Sequence, residues 1–201
     1  MDLATPEDTF KNITFQGAGF GELAEHLSAL PDDESHLSLF LGLYQPDKKR
    51  ALEELGRAAG KSVETVDFEE LVSRSESETY EALDRIFEQH RNTGALLYFR
   101  NGDQLCGVYT GYTHSKVKYA SPQERYFLQK AKEHKGPVVV DISEFSAADK
   151  TIRRAAGSIV RFTLPDSPVK RFLWHLRNYT LHGFELRSKR PDAYADTAEN
   201  Y

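Results

Sequence analysis

The sequence predicts a three-layer α/β/α fold around a mainly parallel, five-stranded sheet. Three observations carry this. Strand-like and helix-like segments alternate along the chain, an order that right-handed crossovers turn into a parallel sheet. Several strand-like segments are continuous apolar runs, as expected of strands covered on both faces. The 201 residues suffice for one α/β core, and the length favours one domain over two.

Each element has its own signal. From Gly21 to Leu30 the residues Leu23, Ala24, Leu27 and Leu30 fall at helical spacing until Pro31-Asp-Asp33 breaks it, which predicts a leading helix. His36 to Gly42, rich in Leu and Phe between turn residues, predicts the first strand. Asp47 to Ala59 follows as a helix through Ala51, Leu52, Leu55 and Ala58, with Gly60 as its stop. The order repeats with a strand at Ser62 to Asp67 and a helix at Glu76 to His90, whose Tyr80, Leu83 and Phe87 share a face and which Asn92-Thr-Gly94 ends. Ala95 to Phe99 is the third and most apolar strand. Pro122 to Lys135 is a helix with Phe127, Leu128 and Ala131 inward. Pro137 to Ile142 and Ser158 to Phe162 are the fourth and fifth strands, and Pro168 to Asn178 is the last helix.

Residues 1–35 therefore form an N-terminal segment with one helix packing on the core, 36–180 the core, and 181–201 a C-terminal extension. The polar ends, Met1 to Asp8 and Ser188 to Tyr201, are expected to fray, the extension being disordered at its end. Arg100 to Ser121, rich in Gly, Thr and Tyr and without a period, is longer than the usual connection of about 4 to 6 residues and reads as a functional or mobile loop.

Composition narrows the function classes. With 39% apolar and 28% charged residues the chain is of the soluble globular type, and no apolar run approaches the roughly 18 to 20 residues of a membrane helix. Met1 to Phe10 is polar and acidic, so neither a secretory nor a mitochondrial address is visible and a cytoplasmic location is expected. The sequons at Asn12 and Asn178 accordingly carry little weight. Cys106 is alone, which excludes an intrachain disulfide and a thiolate metal cluster; it reads as a small apolar residue. A net charge of −5 opposes attraction to nucleic acid, against which Arg187-Ser-Lys-Arg190 is a short solvated exception. The seven histidines lack ligand spacing, so no metal is expected. Gly17-Ala-Gly19-Phe-Gly21 lacks the spacing and the preceding strand of a dinucleotide loop and reads as a plain loop.

The segment after the first strand bears on phosphate chemistry. In G-x-x-x-x-G-K-[ST] the second glycine lets backbone amides turn toward phosphate, the lysine neutralises it, and the hydroxyl reaches magnesium. Gly42-Leu-Tyr-Gln-Pro-Asp47-Lys48-Lys49 keeps the first glycine and the lysine. Asp47 puts a negative charge where the second glycine belongs, Pro46 removes an amide donor, and Lys49 replaces the hydroxyl.

From about Leu37 to Leu176 the order of segments resembles the core domain of AAA+ ATPases. Asp84-Arg-Ile-Phe-Glu88 leading into Ala95-Leu-Leu-Tyr-Phe99-Arg100-Asn101-Gly-Asp103 is similar to the helix and Walker B strand of that family, with Arg100 and Asn101 where two acids should stand. Val66 to Val72 resembles the strand and short helix after the first crossover. Tyr126-Phe-Leu-Gln129 resembles the helix after the Walker B strand, and Val138-Val-Val140 with Ser143 the sensor strand. Ile152-Arg153-Arg154 with Ile159 to Asp166 resembles the arginine-finger helix and the strand ending in a Pro-containing turn. The family adds a helical lid after that turn; with about 35 residues following it here, the resemblance implies a truncated or missing lid as the expectation.

The resemblance implies a vestigial nucleotide pocket at Gly42, Asp47, Lys48, Lys49, Arg100, Asn101 and Ser143, and arginine-finger positions at Arg153 and Arg154. ATP hydrolysis needs a carboxylate to hold magnesium and another to activate water, which Arg100 and Asn101 do not supply. No enzymatic turnover is expected, and Arg100 is expected to pair with Asp47 or Asp103 across the vacated pocket. The first expectation is a pseudo-ATPase without cofactor that binds another protein, with Tyr98, Tyr109, Tyr112 and Tyr119 as interface anchors or as buried core residues. The alternative is a regulator in which Lys48, Lys49 and Arg100 hold ATP or ADP, even without magnesium. An active enzyme would need a carboxylate such as Asp103 or Asp141. Neither nucleic acid nor membrane is an expected partner, and a monomer or dimer is expected rather than a hexameric ring.

Overall fold

A computed structural model describes residues 10–31, 33–43, 45–91, 93–106, 108–109, 118–143, 148–163, 168–169, 171–173 and 176. Along the chain run β1 (Ile13–Thr14), α1 (Ala18–Ser28), β2 (Ser35–Leu41), α2 (Gln45–Ala59), β3 (Val63–Asp67), α3 (Phe68–Leu71), α4 (Glu76–Gln89) and β4 (Leu96–Arg100). A short 3-10 turn (Gly102–Gln104), β5 (Val108–Tyr109), β6 (Lys118–Tyr119), α5 (Pro122–Glu133), β7 (Gly136–Ile142), α6 (Lys150–Ala155) and β8 (Ser158–Arg161) follow. Residues 168–169, 171–173 and 176 are helical, inside the span predicted for the last helix.

The main sheet has six strands in the order β1-β8-β2-β7-β4-β3, every neighbouring pair parallel. All five predicted strands are there as a contiguous block. The sixth, β1, corrects the expected count: it lies along β8 with Ile13 opposite Val160 and Thr14 opposite Arg161. Two residues are too few to show an alternating pattern, so the sequence carried no period to read. Inside the 100–121 loop, β5 and β6 form a separate antiparallel pair.

Alternation along the strands builds two cores. On one face Leu37, Leu39, Leu97, Phe99, Val138 and Val140 meet Leu83 and Phe87 of α4 and Phe127 of α5. On the other, Phe40, Leu96, Tyr98, Val139 and Val160 meet Leu23 and Leu27 of α1 and Ala51, Leu52 and Leu55 of α2. Each such Val, Leu or Phe side chain removed from water stabilises the fold by about 1.5–3 kcal/mol against its exposed state. In the first core the rings of Phe68 and Phe127 stand 5.0 Å from that of Phe99 at their centroids for Phe68 and 5.0 Å for Phe127.

Helix starts follow capping chemistry. Ser75 and Ser121 accept from the amides of Glu78 and Glu124, each in an S-x-x-E arrangement, and Pro122 occupies the first turn of α5, where a missing amide is harmless. Asp67 caps α3 and Asp149 caps α6 in the same way. Such a cap contributes about 1 kcal/mol.

Two starts differ from expectation. The Gly17-Ala-Gly19-Phe-Gly21 run is not a plain loop: Gly17 is the N-cap of α1 and the next residues are helical. A Cβ on Gly19 would stand 2.8 Å from Ile13 Cγ2, so close packing on β1 outweighs the poor helix propensity of glycine. α2 begins at Gln45 rather than Asp47, because Pro46 is tolerated in a first turn.

Candidate functional site

The carboxyl ends of a parallel sheet are where ligands of such folds bind, and here the ends of β2, β4 and β7 adjoin the start of α2. The turn out of β2 is Gly42, at φ +138, a backbone that L side chains rarely adopt. Its amide donates to the carbonyl of Ile142 at 3.1 Å, and an added Cβ would stand 2.6 Å from the carbonyl oxygen of Phe162. Close approach of two strand ends thus explains this glycine without any phosphate.

Because α2 starts at Gln45, Asp47 and Lys48 belong to its first turn and are both buried, while Lys49 is exposed. Lys48 Nζ forms an ion pair with Asp141 Oδ1 and lies 3.4 Å from the carbonyl oxygen of Ile142. The other carboxylate oxygen of Asp141 accepts from the Tyr98 hydroxyl at 2.8 Å and from Gln45 Nε2 at 3.0 Å. β7, β4 and the first turn of α2 therefore deliver four polar side chains to one point. Burial pulls the Lys48 ammonium below its ordinary range, while Asp141 and then Asp103 hold it up. Burial, reinforced by Asp141, pushes the Tyr98 hydroxyl far up, so it stays a donor. Asp47 pairs with Arg50 three residues on, and Arg50 lies over the Phe15 ring with its guanidinium carbon 6.0 Å from the centroid.

A second cluster occupies the ends of β3 and β4. Arg100 forms an ion pair with Asp67, and Asn101 Nδ2 donates to the other oxygen of Asp67 at 2.8 Å. Asn101 adopts the left-handed conformation, φ 56 and ψ 39, which asparagine tolerates. The expected pairing of Arg100 with Asp47 or Asp103 is thus corrected: the sheet register sets Asp67 directly opposite it, and the ion pair forms there. Burial would raise the Asp67 carboxyl, but hydrogen bonds from Arg100 and Asn101 outweigh it and hold the group below its usual range. Asp103 accepts from the Ser143 amide at 2.9 Å, tying the 3-10 turn to the end of β7. Gly102 in that turn lies so close that an added Cβ would be 2.7 Å from the Asp141 carbonyl oxygen.

The remaining predicted residues scatter. Arg153 Nε donates to the carbonyl of Asp149 at 3.2 Å, folding back on its own helix, and Arg154 is exposed. Tyr98 is the buried ligand of Asp141, not a surface anchor. Tyr112 and Arg187-Ser-Lys-Arg190 lie outside the described residues, as do the side chains of Tyr109 and Tyr119. Cys106 is buried in the first core. Among the described residues no group of three His, Cys, Asp or Glu side chains is placed to hold a metal ion, and no helix is long and apolar enough to cross a membrane.

Sequence reasoning weighed Asp141 only as a substitute catalytic acid and missed Gln45 and Asp67. A signal for Asp141 existed: a carboxylate inside the buried run Pro137 to Ile142 must find a partner.

No family model and no curated protein matches the sequence. Solved structures do match in fold. A crystal structure of the FIGL-1 AAA domain superposes with a TM-score of 0.56 at 13% identity, covering 83% of this chain and 58% of that one. The same domain in complex with ADP gives 0.54 at 14%, covering 85% and 62%. The E. coli MS115-1 HORMA:CdnC:Trip13 complex gives 0.52 at 13%, covering 82% and 58%. The fold is therefore that of an AAA domain, and the chain spans about 58 to 62% of the length of these structures.

Proposed function

We propose that this AAA-type fold works without ATP turnover, as a module that binds another protein or supports an assembly. The observation that carries the reading is the burial of Lys48 in an ion pair with Asp141. The lysine that would neutralise a polyphosphate is already neutralised from within, at the end of the sheet where the polyphosphate would lie.

A magnesium-bound triphosphate does not fit the surrounding residues. Pro46 removes an amide donor from the first turn of α2, and the buried carboxylate of Asp47 sits in that turn. Position 49 offers an ammonium, not a hydroxyl, and Arg100 and Asn101 are turned to Asp67. The regulator reading needs Lys48, Lys49 and Arg100 to converge on one ligand. Instead Lys48 is buried, Lys49 exposed, and Arg100 bound at the β3 end. Likeness to a chain of a HORMA:CdnC:Trip13 complex supports a protein as the partner class.

The test is calorimetric titration with ATP and ADP, with and without magnesium, beside a phosphate-release assay. No saturable heat and no phosphate are expected. Turnover would overturn the reading, and tight binding without turnover would replace it with the regulator. A partner complex should then form equally with and without nucleotide on size-exclusion chromatography.

A further inference from the structure

We infer that Asp141 is a built-in substitute for a bound anion, so that the site at the start of α2 is permanently liganded by the chain itself. The inference rests on the non-catalytic reading above and specifies how the site is kept in one state. Both carboxylate oxygens are used as the oxygens of a bound oxyanion would be: Oδ1 faces the Lys48 ammonium, and Oδ2 accepts from Tyr98 at 2.8 Å and Gln45 at 3.0 Å. Two of the donors, Gln45 and Lys48, come from the first turn of α2, where the helix dipole favours negative charge. Lys48 is 0% exposed and Asp141 4%, so water does not replace either partner.

The arrangement has a consequence that an ordinary buried ion pair lacks. The donors come from α2 and β4, while the carboxylate comes from β7. Asp141→Ala would therefore remove the anion and leave an ammonium, a hydroxyl and an amide converging on the space it vacates. That space is the size of a formate ion, which carries the carboxylate the substitution deletes.

The experiment measures thermal melting of the full chain and of Asp141→Ala against sodium formate at constant ionic strength. The wild-type chain should show no response. Asp141→Ala should melt lower and recover most of the loss saturably with formate, and adding Lys48→Met should abolish that recovery. The inference is overturned if Asp141→Ala responds no more than the wild type, or if the double variant responds equally. Should Asp141→Ala fail to fold unaided, refolding yield against formate becomes the readout, and no gain in yield overturns the inference. The wild-type nucleotide titration separates the two ideas. ATP turnover by the unmodified chain sinks the non-catalytic reading, whereas a silent wild type with a formate-blind Asp141→Ala sinks the anion substitute alone.

Discussion

At the carboxyl ends of one sheet, Lys48 with Asp141 and Arg100 with Asp67 make the same kind of cluster, a cation on a carboxylate joined by further polar side chains. They differ in water. Side-chain exposure is 0% and 5% for the first pair and 51% and 13% for the second. In solvent a lost partner is replaced by water, and such a pair contributes about 0–1 kcal/mol. In the interior the pair itself adds little net stability, yet removing one member strands the other, at about 3–5 kcal/mol. Burial, not the identity of the charges, decides which cluster constrains the fold.

The contrast can be broken most strongly at Asp141. Asp141→Ala should lower unfolding free energy by about 3–5 kcal/mol in urea melts, and the apolar pair Lys48→Met with Asp141→Leu should return most of it. An equal loss in single and double variants would contradict the argument.

Acid should sharpen the difference next. Burial, and then the neighbouring His26, lowers His36 from 6.5 to about 4; its Nε2 lies 3.1 Å from the Ser158 hydroxyl. The unfolded chain then binds a proton that the native one refuses. Stability should be full above about pH 6.5 and fall as pH drops toward 4, by about 3 kcal/mol in all. His134, also lowered by burial, acts in the same direction. Asp67, held below its usual 3.8, keeps its contribution through that window and loses it only at lower pH. Urea midpoints at several pH values check this, and His36→Gln should flatten the slope.

Tyr98→Phe removes one donor from Asp141 and leaves two, so a loss of about 1 kcal/mol is expected in the same melts. Arg100→Ala, at the exposed cluster, should change stability by less than about 1 kcal/mol, and added salt should shrink the difference further.

The order of strands and helices was legible because local signals suffice for it: apolar runs for β2, β4 and β7, helical spacing for α2, α4 and α5. The site was legible only in part. Lys48 stood out by its spacing from Gly42, but its partner lies 93 residues away, and no local pattern joins them. For Arg100 the sequence alone offers only the acids nearest in sequence or motif, Asp103 and Asp47. Its partner follows instead from the register of β3 on β4, which places the last residues of both strands side by side. In the sequence Pro46 reads as the break before a helix, which sets the expected start of α2 two residues late.

The β1 strand has a consequence in time. Its two pairings with β8 join segments near opposite ends of the described chain, Ile13 with Val160 and Thr14 with Arg161, and so close a very long loop. Contacts so distant in sequence and so few in number should form last and open first. In hydrogen exchange, the Phe15 amide, bonded to the Arg161 carbonyl, should lose protection well before the amides between β2 and β7. Each such opening bares the flank of β8, giving the native protein a brief, recurring unpaired edge while the rest of the sheet stays intact.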